Sequence, residues 1–183
     1  MEWLKEIMSQ LGTNAKKTIE DFLGVDRYKV KRVPDGDTIV VTDSKGEDIN
    51  IRFAYIDSPE VAHTREEKKS RKHVFKSQFK WGEKAKKRLE ELIEEGGGEV
   101  RLTIIDTDRY GRKVSEVHLR NGTFVQEVLV KEGLVQVYHA YLKDNSSATI
   151  LKEAEADAKR RRRGLWRDPK FIPAWEFRRL KDD

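Results

Sequence analysis

The chain contains no cysteine among its 183 residues, which excludes disulfide bridges, thiolate metal centres and thiol nucleophiles. Histidine is scarce: His63, His73, His118 and His139 are scattered without the spacing of a zinc site, and most are expected to be exposed. No apolar run approaches the roughly 20 residues that a bilayer-spanning helix requires. The first 25 residues lack the apolar segment and small-residue cleavage site of a signal peptide. The expected compartment is therefore the cytoplasm, or outside the cell if a leader has been removed.

What the chain has in abundance is charge. Charged residues make up 39% and hydrophobic residues 37%, enough for one domain with a buried core under a densely charged surface. The 38 basic residues outnumber the 33 acidic ones, for a net charge of +5. Such a balance attracts polyanions, so nucleic acid leads the partners to consider, ahead of an acidic membrane surface. The excess is local. Between His63 and Arg88, eleven lysines and arginines face three glutamates, a concentration suited to collecting a phosphate backbone. The run Lys159–Arg163 reads instead as cations offsetting a helix dipole.

Hydrophobic spacing divides the chain. In residues 1–25, Trp3, Leu4, Ile7, Met8 and Leu11, then Ile19, Phe22 and Leu23, recur at helical intervals. This predicts an amphipathic helical extension that packs on the main domain or on a second copy, with membrane docking a weaker reading. From Tyr28 the pattern turns to strands: 28–33, 38–42 and 48–56, with a turn at Ser44-Lys45-Gly46. Residues 63–80 read as a basic, mobile loop, and a helix is predicted over 79–95, closed by Gly96-Gly97-Gly98. Strands 99–106 and 112–119 follow. A helix opened by a Thr123/Gln126 capping box ends at Gly133, and a last one capped by Ser146 or Ser147 runs to Arg163. Five strands interrupted by helices predict an α+β protein built on an OB-type barrel, an architecture that commonly binds oligonucleotides.

Three segments carry candidate chemistry. In Asp35-Gly36-Asp37-Thr38, read as the opening of a strand, carboxylates two residues apart face one side, a pairing suited to a hard cation. Arg52 lies in an apolar strand that leads to Asp57-Ser58-Pro59-Glu60, and an arginine there requires an anionic partner or a ligand. Asp108-Arg109-Tyr110-Gly111-Arg112 joins two strands and aims an arginine from a strand start. Each segment alone also reads as ordinary turn chemistry. Together they supply what phosphodiester hydrolysis needs: oxygen ligands for a cation (Asp37, Asp57), a base (Glu60) and forked donors for phosphate oxygens (Arg52, Arg112).

This ordered set, with the Glu132-Gly133-Leu134 step and the helix ending Arg163-Gly164-Leu165-Trp166, resembles the staphylococcal nuclease family over about residues 28–167. The closing Pro173-Ala174-Trp175-Glu176-Phe177-Arg178 is similar to the tail of bacterial relatives. The resemblance implies a nuclease-like domain at 26–167, with a five-stranded OB-fold barrel and three helices, flanked by the helical arm (1–25) and a tail (168–183). It implies calcium-dependent cleavage of DNA and RNA that leaves 3′-phosphate ends, although oxygen ligands also admit magnesium or manganese. Asp37 and Asp57 would be side-chain ligands, Ser58 would offer its backbone carbonyl, and Asp35 would act through water. Glu60 would be the general base, and Arg52 and Arg112 would hold the phosphate. Arg109 and Tyr110 would contact a neighbouring phosphate and the sugar or base, and His139 and Tyr141 would line the nucleotide pocket. Ser58 replaces the threonine and His139 the tyrosine of the staphylococcal enzyme, the second change altering base stacking. A non-catalytic nucleic-acid-binding module is the alternative. No stable protein partner or membrane association is expected, and the chain would be a monomer or a dimer through its arm.

Overall fold

A computed structural model describes residues 27–182; the helical extension expected at 1–25 lies outside the described residues. In chain order the elements are β1 (Tyr28–Asp35), β2 (Thr38–Thr42), β3 (Asp48–Phe53), β4 (Ile56–Asp57), α1 (Arg65–Lys69) and α2 (His73–Glu95). Then come β5 (Glu99–Thr107), β6 (Lys113–Leu119), α3 (Val125–Lys131), β7 (Gln136–Val137), a 3-10 turn at His139–Tyr141, α4 (Ser146–Arg160), a second 3-10 turn at Gly164–Arg167 and α5 (Ala174–Asp182). Five strands close into a barrel in the order β1-β2-β3-β6-β5, and β4 pairs separately with β7. The α+β fold with an OB-type barrel is thus as the sequence implied.

Strand alternation sends Ile39, Val41, Ile51, Phe53, Val100, Val117 and Leu119 into the barrel, and all are buried. Helix α2 covers this interior with Trp81, Ala85, Leu89, Leu92 and Ile93, spaced at three and four residues. Burial of each large side chain stabilises the fold by about 1.5–3 kcal/mol relative to exposure. That helix starts six residues earlier than its sequence pattern suggests, and α1 occupies part of the expected loop. Two local causes explain the difference. Thr64 and Glu67 form a reciprocal capping box that opens α1. Phe75 and Phe79 meet edge to face, and both meet Phe177 of α5, so their apolar partner comes from about 100 residues away.

Two other expectations are corrected. Gln126 does not cap α3; fully buried, it accepts from the Val117 amide and donates to the Ser115 carbonyl, stitching α3 to β6. Asn145, not Ser146 or Ser147, caps α4 by accepting from the Ala148 amide. The helices number five among the described residues where three were implied; α1 and α5 are the additions. Three of the four histidines are exposed, and His118 is half-buried against Phe124. Lys159, Arg160, Arg161 and Arg163 are engaged by Glu155 and Asp157 at the end of α4.

Candidate active site

The site grows from two breaks in the barrel strands. Asp35 ends β1 and Gly36-Asp37 form the tight turn into β2, so the pair converges by turn geometry rather than by strand alternation as the sequence suggested. The Asp35 carboxylate accepts from the Asp37 amide at 3.0 Å. The second break follows β3, where Tyr55 adopts a left-handed φ of 68°, ends the strand and redirects the chain into β4. Pairing of β4 with β7 then fixes Asp57 opposite Gln136. Asp37 and Asp57, from opposite sides of these breaks, are both buried.

Arg52 joins them. Its Nη1 lies 2.8 Å from Asp37 Oδ2 and its Nη2 donates to Asp57 Oδ1 at 2.9 Å. The Ser58 amide donates to Asp37 Oδ2 at 2.6 Å, pinning the second break to the first. Helix α2 presses on the same loop. A Cβ on Gly36 would lie 2.5 Å from that of Ala85, and one on Gly82 would lie 2.1 Å from the Glu60 carbonyl oxygen. Only glycine permits that approach, and it places Glu60 beside Asp57. The Glu60 amide donates to Gln78 Oε1.

A residue without a role in the sequence reading completes the cluster. Arg178, from α5, donates through Nη2 to Asp57 Oδ2 at 2.8 Å and through Nη1 to Glu60 Oε1 at 2.7 Å. Asp57 is thereby bracketed: Arg178 reaches both of its oxygens, and Oδ1 is shared with Arg52. The signal was present in the sequence: Ala174, Phe177, Arg178 and Lys181 fall at i, i+3, i+4 and i+7, so Arg178 shares the face of a buried phenylalanine.

Electrostatically the cluster holds more negative charge than its arginines offset comfortably. Burial pushes the Asp37 carboxyl up to about 7; Arg52 opposes that rise and Asp35 reinforces it. Burial and then Asp37 push the Asp57 carboxyl up, against Arg178 and Arg52. Despite burial, Asp37 and Asp57 hold the Arg52 guanidinium above its ordinary value. Among the described residues, no set of three or more acidic or histidine side chains is gathered tightly enough to cage an ion unaided. The donor chemistry nevertheless fits a hard cation: two buried carboxylates whose burial the arginines offset only in part, with the Ser58 backbone between them and oxygen donors only.

The remaining sequence candidates fall into two neighbouring groups. Arg109, Tyr110 and Arg112 occupy the β5–β6 hairpin. Arg112 donates through Nε to Asp108 Oδ2 at 2.7 Å, and the Arg109 and Arg112 guanidinium groups lie 4.8 and 5.7 Å from the Tyr110 ring. Arg112 is thus held by Asp108 rather than by the buried carboxylates. It stands two residues before Val114, the ladder partner of Arg52. His139 and Tyr141 lie just beyond β7, where Tyr138 donates its amide to the Tyr55 carbonyl. Tyr141 is 71% exposed and packs on Tyr138, whereas His139 is engaged by the buried Glu155 at 2.9 Å. Three groups on adjoining strand ends thus present carboxylates, arginines held by Asp108 and Tyr110, and exposed aromatics.

Fold and site together define an OB-type barrel with an acidic, arginine-bracketed centre at its strand ends. The family model described as "Staphylococcal nuclease homologue" matches residues 50–168. The chain belongs to that family. It is 32% identical over 153 residues to an "Uncharacterized endonuclease" of Escherichia coli O157:H7, covering 84% of this chain and 85% of the relative. It is 31% identical over 161 residues to a "Micrococcal nuclease" of Shigella flexneri, covering 84% and 80%. It is also 34% identical over 131 residues to "Staphylococcal-like nuclease CAN1" of Arabidopsis thaliana, covering 72% of this chain and 33% of the relative. The family match contains Arg52, Asp57, Glu60 and Arg112; Asp35 and Asp37 precede it, and α5 follows it.

Proposed function

We propose that the chain is a metal-dependent nuclease that hydrolyses phosphodiester bonds of DNA and RNA, with calcium as its ion and 3′-phosphate ends as its product. The observation that carries this reading is the convergence of Asp37, Arg52, Asp57 and Glu60, from two strand breaks, at one end of an oligonucleotide-type barrel. Family membership and nuclease-named relatives support the class of reaction.

Asp37 and Asp57, with the Ser58 carbonyl, would hold the ion, and Asp35 would contribute through water. Bound there, a dication supplies charge neutralisation and polarises a phosphoryl oxygen. Glu60 takes the proton of the water that attacks phosphorus, while the bond from phosphorus to the 5′ oxygen breaks and that oxygen leaves as a hydroxyl, protonated from solvent. Arg52 donates to the phosphate under attack, and Arg112 leaves Asp108 to do the same; planar forked donors suit the spread negative charge of the transition state. Arg109 and Tyr110 meet a neighbouring phosphate and sugar, and Tyr141 offers a face for a base, with His139 beside it. The lysines of α2 draw the strand in: Lys76, Lys80 and Lys84 recur every four residues along one side of the helix.

The test is incubation of purified protein with supercoiled plasmid in calcium and in chelator, beside Glu60→Gln. The reading expects cleavage in calcium alone and a loss in the variant of about 100-fold or more. Intact plasmid in every lane would point to a binding module instead.

A further inference from the structure

Helix α5 is seated on the domain by one face. Ala174 and Phe177 are buried, and Phe177 lies edge-on to Phe75 and Phe79 at 5.0 and 5.9 Å. Trp175 packs on Tyr138 at 5.2 Å, and Lys181 pairs with Glu67 of α1. The backbone at Arg178 is thus fixed by the most buried residue of the helix next to it. From there one planar group reaches two carboxylates, Asp57 and Glu60. Holding both with a rigid fork sets their separation as well as their orientation.

Glu60 needs such a restraint. Its backbone is held by Gln78 and by the close approach of Gly82, but those contacts leave the side-chain torsions free. The partner the structure gives its carboxylate is Arg178. We propose that Arg178 is a positioning residue of this site, holding the Glu60 carboxylate beside Asp57 in the orientation that water activation requires. The inference rests on the nuclease reading for Glu60, and it makes α5, beyond the family match, a working part of the centre.

The experiment is a double-mutant cycle in the full chain, with Arg178→Gln, Glu60→Gln and both together. Cleavage of a labelled single-stranded oligonucleotide is followed in calcium, with a crystal structure of Arg178→Gln alongside. Loss of orientation lowers kcat about 10- to 100-fold and leaves KM within about threefold. Arg178→Gln then adds nothing in the Glu60→Gln background, and Arg178→Lys recovers part of the loss. Phe177 still packed between Phe75 and Phe79 in the variant crystal confirms that α5 stays docked. In the variant crystal the Glu60 carboxylate turns away from Asp57. Multiplicative losses in the double variant, a raised KM at unchanged kcat, or faster cleavage with tighter calcium binding would each overturn the proposal. They would make Arg178 an independent contributor, a phosphate ligand or a cover, respectively. An inactive wild type would remove the nuclease reading, while the crystal would still report whether Arg178 orients Glu60; an unmoved carboxylate would overturn the proposal.

Discussion

Replacing Asp37 by asparagine should stabilise the metal-free protein at neutral and alkaline pH. The Asp37 carboxyl is raised from an ordinary 3.8 to about 7, chiefly by burial. A carboxyl that holds its proton more tightly when folded contributes stability that is complete below the unfolded value and is lost as pH rises through the folded one. The window therefore runs from about pH 4 to pH 7. At about 1.4 kcal/mol per pH unit the full loss is somewhat over 4 kcal/mol, an upper bound because water reaching the site would screen part of it. For a chain of this size that is on the order of 10 °C in Tm. Asparagine keeps the acceptor for the Ser58 amide and carries no charge to desolvate. Calorimetry in chelator from pH 5 to pH 8 should show wild type losing stability along this window, with Asp37→Asn changing much less and melting higher at pH 8. Calcium should restore the wild type and leave the variant where it was. A variant that melts below wild type at pH 8 in chelator would refute the reasoning, because Asp37 would then be stabilised by Arg52 rather than strained by burial.

Gly82→Ala drives a methyl group to 2.1 Å from the Glu60 carbonyl oxygen, so the Pro59–Glu60 loop must move; kcat should drop by about 100-fold while circular dichroism stays native, and full activity would show that the loop yields without consequence. Changing Lys76, Lys80 and Lys84 together to glutamine should weaken oligonucleotide binding and flatten its salt dependence by about three contacts, read as the slope of log K against log salt; an unchanged slope would leave these lysines out of the path. Leu89→Ala, in the fully buried centre of α2, should cost about 2–5 kcal/mol in urea unfolding, and a smaller loss would mean that the barrel interior closes over the gap.

Much of this architecture was legible because it is local. The β-branched run at 38–42, the alternation at 113–119 and the helical spacing at 81–93 each follow from residues a few positions apart. The residue types of the centre were legible for a similar reason: Arg52 in an apolar strand and the Asp-Ser-Pro-Glu turn need explaining even in isolation. What stayed hidden depends on distant partners. Helix α2 begins at His73 because Phe75 and Phe79 find Phe177, and no periodicity within 63–80 announces a partner in α5. The Asp35-Gly36-Asp37 segment joins two strands rather than opening one, since pairing of Asp35 with Thr38 closes the hairpin there. Gln126 carries a capping-box pattern but serves the β6 backbone, a choice made by its burial. Arg178 lay in plain view on the apolar face of a short helix, but its partners are more than 100 positions away.

A crystal structure with calcium and a nucleoside 3′,5′-bisphosphate would show whether the buried carboxylates hold a cation while guanidinium groups hold the phosphate beside it. One ion should lie about 2.3–2.6 Å from an oxygen of both Asp37 and Asp57, with Arg112 turned from Asp108 onto a phosphate that Arg52 also touches. An ion bound elsewhere, or a nucleotide seated away from these four residues, would contradict this arrangement.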